Sequence, residues 1–500
     1  MKTFSSYLKV YGVCFATSLA LLFGAMNASA DPATCDRRPN NTQSRLQACV
    51  TLDGVREHQA ELQAIADANG GNRATGTPGD DASVDYIVQR MEAAGYVVTT
   101  QPFSVGRFIQ LSPSTLEQTA PGMVAYIEDT DYKLFSYTDS GNVTAAVTPV
   151  NLALGLGNLS TSGCLPADFA SFPAGNIALL QRGSCTFQSK AENAAAAGAV
   201  GAIIFNQGDT PERFGLNNGT LSSFYAGGIP VFDTTYDRGA EWAVTPGLTM
   251  HMVADVVRGE VTAYNVLAES SVGDPNNVVL VGAHLDSVDA GPGIQDNGTG
   301  SAAMLEVAEQ MSRVRPQNKL RFAWWSAQEQ GTLGSGHYVD NLSEAELDQI
   351  ALYLNFDSIG SPNFVRFIYD GDGSDIGPAG PSGSAAIEAF FEDFYTDRGL
   401  AFEPTQILVA SDSATFFNAD IPVGGLFTGS FGIKTAEQAA IFGGTAGDQY
   451  DPCYHLACDT FDNVSLEVLD ENADAVAAAI LQYSMNTEAV NGVRGRGSFR

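Results

Sequence analysis

Apolar residues recur at helical spacing in the first part of the chain. The spacing occurs in "LQACVTLDGVREHQAELQAIADANGG" and again in "DDASVDYIVQRMEAAGYVVTTQPF", where a glycine ends the helical pattern and an apolar strand follows. The segment between them, "NRATGTPG", is predicted to be a loop because of its glycine and proline content. The folded chain is therefore predicted to begin with two helices and a strand.

The pattern changes twice further along the chain. From about residue 120, the stretch "GNIALLQRGSCTFQSKAENAAAAGAVGAIIFNQGD" predicts a short strand, a turn, an alanine-rich helix and a second apolar strand. From about residue 256, apolar runs alternate with helical segments, which is typical of a parallel sheet in an α/β protein. The predicted fold class is therefore α/β, with a middle section of different texture.

The first residues have the features of an export signal. Lys2 and Lys9 precede the apolar run "VCFATSLALLFGAM", and "ASA" stands immediately before Asp31. The run is shorter than the roughly 20 residues that a membrane-spanning helix needs, and no later stretch is apolar enough to span. We therefore predict a signal peptide over 1–30 and a secreted protein, extracellular or periplasmic, with no membrane partner.

The cysteine content supports an oxidising compartment. Of the 7 cysteines, Cys14 lies in the predicted signal peptide, and the even number that remains predicts three disulfides in an exported chain. Closeness along the chain favours the pairs Cys35–Cys49, Cys164–Cys185 and Cys453–Cys458. Six cysteines allow fifteen pairings, and free buried thiols are an alternative.

Charge and length limit the partners and the architecture. The formal net charge of −32 argues against nucleic acids and anionic membranes, which bind basic patches. It fits a protein that stays soluble outside the cell. A chain of 500 residues exceeds the usual size of a single hydrophobic core, so two or more domains are expected.

Candidate metal ligands stand where the apolar runs of the last domain end. The run "NVVLVGAHLDS" ends in His284 and Asp286, "KLRFAWWSAQE" ends in Glu329, and "IALYLNFDS" ends in Asp357. Ligands of an open parallel sheet bind beyond the carboxyl ends of its strands, so these side chains are placed to converge. Each acid alone is more often a turn former or a helix cap than a metal ligand; the set as a whole is the stronger indication of a metal.

Two further residues complete the set. Asp296 lies in a glycine-rich turn before a helix, and His455 lies between two cysteines in "DPCYHLACDT". One imidazole and one carboxylate for each metal, with one shared carboxylate, suit a pair of zinc ions roughly 3.5–4 Å apart. His58, His251 and His337 lack such neighbours and are predicted to be structural.

The motifs around these residues resemble a known family. They are "NGGNRATGTPGDDASVDYI", "GAHLDSV", "GIQDNGTGSAAMLEVA", "FAWWSAQEQGTLGS", "LNFDSIG", "SDSATFFNADIPVGGLFTG" and "DPCYHLACDTFDN". Together they resemble the secreted double-zinc aminopeptidases, a family of co-catalytic metallopeptidases, while the middle of the chain resembles the protease-associated domain. The resemblance implies the zinc exopeptidase fold, a mixed, largely parallel sheet sandwiched by helices, with an inserted and mostly β protease-associated domain.

The resemblance also implies a division of the chain. The peptidase domain would comprise 31–124 and 256–490, the insertion 125–255, and a basic tail 491–500. Its expected substrates are peptides with a free N-terminus, and we expect a monomer.

The resemblance assigns a role to each candidate residue. Two Zn²⁺ ions per chain are implied, and the expected ligands are His284 and Asp357 for one ion, Glu329 and His455 for the other, and Asp296 as the bridge. Asp286 would orient the imidazole of His284, because such partners fix the tautomer and basicity of a metal-binding histidine. Tyr454 would help to stabilise the tetrahedral intermediate, and the Cys453–Cys458 disulfide would clamp the loop that carries it.

One position departs from the family pattern. The general base of the family is the glutamate immediately before the metal-binding glutamate, and that position here is Gln328. A neutral amide can hold a water by hydrogen bonds but cannot accept its proton. General-base catalysis contributes about 10²–10⁴-fold, so its loss would leave weak activity supported by the metals.

Three hypotheses follow from this departure. The first is a working secreted zinc aminopeptidase in which another group, such as Asp286 or the metal site itself, replaces the base. The second is a weak or inactive relative that binds zinc and peptide N-termini. The third is a different substrate class on the same scaffold, such as a carboxypeptidase.

Overall fold

The structure is a computed structural model and describes residues 32–35, 37–217, 219–407 and 411–493. The predicted signal peptide over 1–30, with Cys14, lies outside these residues, as does the part of the basic tail from 494 to 500. Among the described residues, no helix is both long enough and apolar enough to cross a membrane.

The chain alternates between helices and strands over most of its described length. The helices are α1 Pro32–Cys35, α2 Gln43–Gln47, α3 Leu52–Ala68, α4 Pro78–Ala93, α5 Phe187–Ala196, α6 Tyr236–Ala243, α7 Gly298–Gln310, α8 Leu333–Asp340, α9 Glu344–Leu347, α10 Ser384–Arg398, α11 Ser413–Asn418, α12 Ala436–Phe442, α13 Leu466–Met485 and α14 Glu488–Asn491, with 3₁₀ helices at Pro166–Phe169 and Pro211–Arg213. The strands are β1 Val97–Gln110, β2 Thr115–Ala120, β3 Val124–Ala125, β4 Tyr132–Leu134, β5 Gly141–Pro149, β6 Ile177–Gln181, β7 Gly201–Phe205, β8 Val231–Thr234, β9 Thr249–Ala254, β10 Val256–Glu269, β11 Asp274–His284, β12 Asn318–Trp325, β13 Ile350–Phe356, β14 Phe367–Tyr369, β15 Glu403–Thr405 and β16 Val423–Phe427.

The first sheet has eight strands in the order β1-β10-β12-β11-β13-β16-β14-β15. Strands β12, β11, β13 and β16 run parallel at its centre. On one side β10 is antiparallel to both β1 and β12, and on the other β14 is antiparallel to β16. The predicted mixed, largely parallel sheet is confirmed.

Helices cover both faces of this sheet. Val279 and Val281 of β11 lie in a core that also contains residues of α3, α4, α7 and α13. Leu280, between them, faces a second core with Tyr338 of α8 and Phe416 of α11. A strand buried on both faces carries an uninterrupted apolar run, which is the pattern that "NVVLVGA" has in the sequence. The predicted helical sandwich is therefore confirmed.

The second sheet is formed by strands between Thr115 and Ala254. Its order is β3-β2-β9-β5-β6-β7-β8-β4, with β5, β6, β7 and β8 parallel and the remaining pairs antiparallel. Strand β2 lies before the boundary predicted at residue 125, and the exact division of the chain remains a prediction.

The part of the chain that the structure describes contains three disulfides, and they are the pairs favoured by sequence proximity. They join Cys35 to Cys49, Cys164 to Cys185 and Cys453 to Cys458. The first lies next to α2, the second within the part of the chain that forms the second sheet, and the third closes a short loop after α12. Each bridge closes a loop inside one part of the fold, so each stabilises that part locally.

A glycine near the carboxyl end of β11 makes room for a buried polar contact. The indole nitrogen of Trp325 donates a hydrogen bond of 2.9 Å to the hydroxyl of Tyr353, which in turn donates one of 2.8 Å to Asn355. A Cβ at Gly282 would overlap both the indole nitrogen and the hydroxyl. Both rings are fully buried, so neither can move aside cheaply.

We predict that Gly282→Ala lowers the free energy of unfolding by about 1–3 kcal/mol, because overpacking a filled core forces side chains from their preferred positions. Urea denaturation of the purified protein measures the change. Gly259→Ala on β10 is the matched control, since a Cβ there meets nothing within 4 Å. Equal stabilities of the two variants would contradict the prediction.

Candidate functional site

The five candidate metal ligands come together at the carboxyl edge of the first sheet. His284 is the last residue of β11, Asp357 follows the last residue of β13, and Glu329 lies in the turn after β12. Asp296 precedes α7, and His455 lies in the loop closed by Cys453 and Cys458. Because β12, β11 and β13 are parallel neighbours, their ends deliver these side chains to one place.

The first group of ligands surrounds the imidazole of His284. Its Nε2 lies 3.1 Å from Oδ1 of Asp296 and 3.5 Å from Oδ1 of Asp357. All three residues are buried. Their ligand atoms lie within 4.8 Å of one another, which is close enough to bind one metal ion.

The second group shares Asp296 with the first. Nε2 of His455 lies 3.4 Å from Oδ2 of Asp296 and 3.0 Å from Oε2 of Glu329. Asp296 therefore turns one carboxylate oxygen towards each histidine. This arrangement is compatible with the bridging role that the family resemblance implies for Asp296.

The electrostatics of the site are those of an anionic centre. Burial alone would lower the pKa of His455, but hydrogen bonds and charge interactions with Asp296 and Glu329 raise it to about 10. Likewise, burial disfavours the charged form of His284, and the surrounding carboxylates, Asp357 foremost, raise its pKa well above the ordinary value. Burial raises the pKa of Glu329 to about 7. The site therefore attracts positive charge strongly.

The donor atoms fit a divalent metal such as zinc. Oε1 of Glu329 and Oδ1 of Asp357 are buried without a hydrogen-bond partner among the described residues. A buried, unpartnered carboxylate oxygen costs free energy unless a cation accepts its lone pairs. Imidazole nitrogens and carboxylate oxygens are the donors that zinc takes in such sites. The residues present thus fit the pair of ions that the sequence predicts.

Asp286 supports the site from below and does not face its cavity. His284 directs Nδ1 to the backbone carbonyl of Asp286 at 3.1 Å and to its carboxylate at 3.6 Å. The carboxylate of Asp286 accepts hydrogen bonds from the backbone N–H groups of Gln328 and Glu329, at 3.1 and 3.3 Å, and from the hydroxyl of Thr75 at 3.1 Å. Asp286 is completely buried, so the geometry favours an orienting role over that of a replacement base.

Gln328 and Tyr454 lie at the edge of a cavity above the ligands. Gln328 is 9% exposed and lines this cavity together with Asp296 and Asp357. Tyr454 stacks on the imidazole of His455 with ring centroids 3.8 Å apart. Burial and the surrounding carboxylates raise the pKa of Tyr454 above its ordinary value, so its hydroxyl keeps its proton and can donate a hydrogen bond.

The cavity continues away from the metal ligands into an apolar pocket. Its volume is about 310 Å³. Its walls are mainly aromatic, from Phe367, Tyr369, Phe427, Phe431 and Tyr450. A pocket of this composition favours an apolar side chain over a charged one.

Two supporting residues were not identified from the sequence. Asp459 accepts hydrogen bonds from the backbone amides of Gln295, at 2.7 Å, and Asp296, at 3.1 Å. Arg73, from the loop "NRATGTPG", is fully buried and donates to the backbone carbonyls of Pro292 and Gly293 at 2.9 and 2.8 Å. The only signal in the sequence was the position of each residue inside a motif, which does not reveal such contacts.

Protein families match two parts of the chain. The model of peptidase family M28 matches residues 265–480, and the model of the PA domain matches residues 143–242. The first range contains all five candidate metal ligands, and the second lies within the part that forms the second sheet.

Relatives match nearly the whole chain. An aminopeptidase of Pseudomonas aeruginosa is 53% identical over 451 residues, which cover 90% of this chain and 84% of that protein. Leucine aminopeptidase 2 of Trichophyton equinum is 38% identical and covers 89% of this chain and 87% of its own. Among solved structures, an aminopeptidase from Aneurinibacillus sp. strain AM-1 is similar with a TM-score of 0.63 and 26% identity, covering 88% of this chain and 95% of that one. A zinc aminopeptidase from Bacillus subtilis is similar with a TM-score of 0.56 and 25% identity, covering 86% and 94%.

We predict that Asp459→Asn weakens divalent metal binding by about 10–100-fold, because an amide presents a donor where two backbone amides also donate. Competition against a chromophoric chelator measures the affinity. Asp462→Asn, an exposed change in the same segment, is the control and leaves the affinity unchanged. Identical affinities of the two variants would show that the hydrogen bonds of Asp459 to the backbone at Gln295 and Asp296 do not support metal binding.

Proposed function

The chain belongs to peptidase family M28, and from this premise we propose that it is a zinc-dependent aminopeptidase that hydrolyses the N-terminal peptide bond of peptides. The observation that carries the proposal is the pair of ligand groups that share Asp296. The similar proteins named aminopeptidases support the reaction, and the zinc aminopeptidase of Bacillus subtilis supports the metal.

We assign two zinc ions to the site. His284 and Asp357 would bind one ion, Glu329 and His455 the other, and Asp296 would bridge them. When bound, a pair of zinc ions supplies a water of lowered pKa and polarises the scissile carbonyl.

The chain's own residues would orient the peptide. Asp357 and neighbouring acids would receive the free α-ammonium group of the substrate, which would account for a specificity for peptide N-termini. The hydroxyl of Tyr454 keeps its proton and is placed to donate a hydrogen bond to the oxygen that gains charge during the reaction. The aromatic pocket next to the ligands would accept a large apolar side chain at the N-terminus.

Gln328 limits the proton transfer in this proposal. Its amide can accept one hydrogen bond from a water and donate two, but it cannot take the proton away. Asp286 is enclosed by hydrogen-bond donors and cannot reach the cavity. Activity without a base at residue 328 is therefore expected to be slow.

A second candidate function rests on the same residue. If proton transfer without a base is too slow for useful turnover, the protein would bind zinc and peptide N-termini without consuming the peptide. The carboxypeptidase alternative has no support from the similar proteins, which are named aminopeptidases.

We further propose that the protein is secreted as a monomer. The three disulfides fit an oxidising compartment. The signal peptide predicted over 1–30 would direct export, and the inserted domain, over about 125–255, would lie between the two parts of the peptidase domain.

We predict that Gln328→Glu raises kcat for a leucine anilide about tenfold or more, because it restores a general base beside the reacting water. Release of the chromogenic amine measures the rate, with and without a zinc chelator. Gln330→Glu, which adds the same charge at an exposed position two residues away, is the control. An unchanged or lower rate in the Gln328→Glu variant would show that the site does not use a base there.

We predict that Phe431→Ala lowers the preference for leucine over alanine substrates, measured as the ratio of kcat/KM values, by about tenfold. Phe431 forms the rim of the apolar pocket, and the loss of apolar contacts in a substrate pocket reduces discrimination by roughly this factor. Phe224→Ala, in the part of the chain that forms the second sheet, is the control, because Phe224 is also an exposed aromatic residue. A ratio that does not fall would place the substrate side chain elsewhere.

A further inference from the structure

A second cluster of possible metal ligands lies in the helical layer, outside the candidate active site. It comprises His58 of α3 and Glu306 and Glu309 of α7, whose ligand atoms lie within 4.8 Å of one another. His58 is 1% exposed and Glu306 is 5% exposed, whereas Glu309 is partly open to solvent. The cluster shares no residue with the groups around Asp296.

The Nε2 atom of His58 has no hydrogen-bond partner among the described residues, although it is fully buried. It points between two carboxylates and lies 3.5 Å from Oε2 of Glu306 and 3.9 Å from Oε2 of Glu309. A buried nitrogen without a partner costs free energy comparable to a lost hydrogen bond, so an unsatisfied Nε2 needs an explanation.

Both distances are longer than those of a charge-assisted hydrogen bond. A protonated imidazole beside a carboxylate forms a charge-assisted hydrogen bond, which closes to about 2.7–2.9 Å. Two ligands of one tetrahedral zinc ion, each about 2.0–2.2 Å from the metal, are instead roughly 3.3–3.5 Å apart. The separation of 3.5 Å between His58 and Glu306 is compatible with the second arrangement, and the oxygen of Glu309 at 3.9 Å would have to move closer by a few tenths of an ångström to bind the same ion.

The surroundings hold the three side chains in a ligand-like orientation. Nδ1 of His58 lies 2.7 Å from the hydroxyl of Tyr86. A histidine that binds a metal through one ring nitrogen usually donates a hydrogen bond from the other, and the hydroxyl oxygen of Tyr86 can accept it. Arg90 donates to both carboxylate oxygens of Glu309, at 2.5 and 2.7 Å, and so fixes its direction. A carboxylate oxygen has two lone pairs, so the contact of Oε2 with Arg90 leaves one available.

Space for Glu306 is provided by a glycine on the facing helix. Gly54 lies one turn before His58 in α3, and a Cβ there would be 2.5 Å from Oε1 of Glu306. The absence of a side chain at residue 54 therefore lets the carboxylate of Glu306 approach His58. Helices α3 and α7 pack against each other at this point.

We propose that His58, Glu306 and Glu309 bind a structural zinc ion that joins α3 to α7. The donor set of one imidazole and two carboxylates suits zinc, with a water as the fourth ligand on the solvent side of Glu309. Because α7 begins immediately after Asp296, the ion would also anchor the helix that leads from the bridging residue of the active site.

Anomalous diffraction tests the proposal on the unaltered protein. Crystals of the full chain grown with zinc would be measured on both sides of the zinc absorption edge. We expect an anomalous peak about 2.0–2.2 Å from Nε2 of His58, apart from any peak near Asp296. The absence of an anomalous peak at His58 would overturn the proposal.

Metal content provides a second measurement that does not depend on peptidase activity. Glu306→Gln keeps the shape of the side chain but removes the charged ligand, and we expect it to bind one zinc ion fewer per chain than the unaltered protein. His251→Gln is the matched control, because His251 faces the single carboxylate of Glu117 at 3.6 Å and belongs to no ligand group. Equal zinc content in the unaltered protein and the Glu306→Gln variant would refute the site.

Thermal unfolding separates this site from the active site. Zinc added to the metal-depleted protein is expected to raise the Tm in two steps, and Glu306→Gln should lose only one of them. A Glu306→Gln variant that keeps both steps would contradict the proposal, even if the proposed peptidase reaction failed its own test.

Discussion

The structure depends on one shared carboxylate. Asp296 turns Oδ1 towards His284 and Oδ2 towards His455, at 3.1 and 3.4 Å. One side chain can serve both imidazoles only if the end of β11, the start of α7 and the disulfide-closed loop meet at a single point. Asp459 holds that point by accepting hydrogen bonds from the backbone amides before and at Asp296. Helix α7 packs against β11, and this packing holds Asp296 in place relative to the sheet. The geometry of the candidate active site therefore depends on the helical layer.

Such a concentration of acids needs buried positive charge even before a metal binds. Arg73 provides it from the loop between α3 and α4. Burial lowers its pKa to about 10, which is still far above neutrality, so the guanidinium remains charged close to Asp286 and Asp296. Its hydrogen bonds to the carbonyls of Pro292 and Gly293 also hold the segment that leads from β11 to α7. Asp80 differs from Arg73. Burial raises the pKa of Asp80 to about 7, because a buried position disfavours the negatively charged form. Before a metal binds, the acidic centre is therefore balanced by the guanidinium of Arg73 and by protons on the groups around it, His284 and His455 included.

Local patterns in the sequence predicted the fold and the candidate ligands at the strand ends, whereas the division of the ligands into two groups came from the family resemblance and stays a prediction. Apolar runs identify the parallel strands, and the residues at their ends are at one edge of the sheet whatever the details of packing, so His284, Glu329 and Asp357 could be placed together. Arg73 and Asp459 could not be found in this way. Their function lies in contacts with backbone groups more than 160 residues away along the chain, and a side chain leaves no periodic signal for such a contact. His58 was predicted to be structural because its neighbours in the sequence are not metal ligands; its acidic partners lie on another helix and became visible only in three dimensions.

The two halves of the candidate active site are held by different means. His284 and Asp357 stand at the ends of β11 and β13, whose parallel pairing extends to Gly282 and Asn355, so the hydrogen bonds of the sheet fix their separation. His455 has no strand behind it. Its φ of 58° lies in the left-handed region, its side chain is 39% exposed, and the disulfide from Cys453 to Cys458 closes the loop that carries it. A short covalent loop reduces the conformational entropy that must be lost when His455 is ordered, which replaces the support that a sheet would give. Tyr454 belongs to this same loop and lines the cavity together with Gln328, so the disulfide-closed loop contributes both a candidate metal ligand and a phenol hydroxyl to the site. His284 is thus held by the hydrogen bonds of the sheet and His455 by a covalent bridge, although both imidazoles face the same carboxylate.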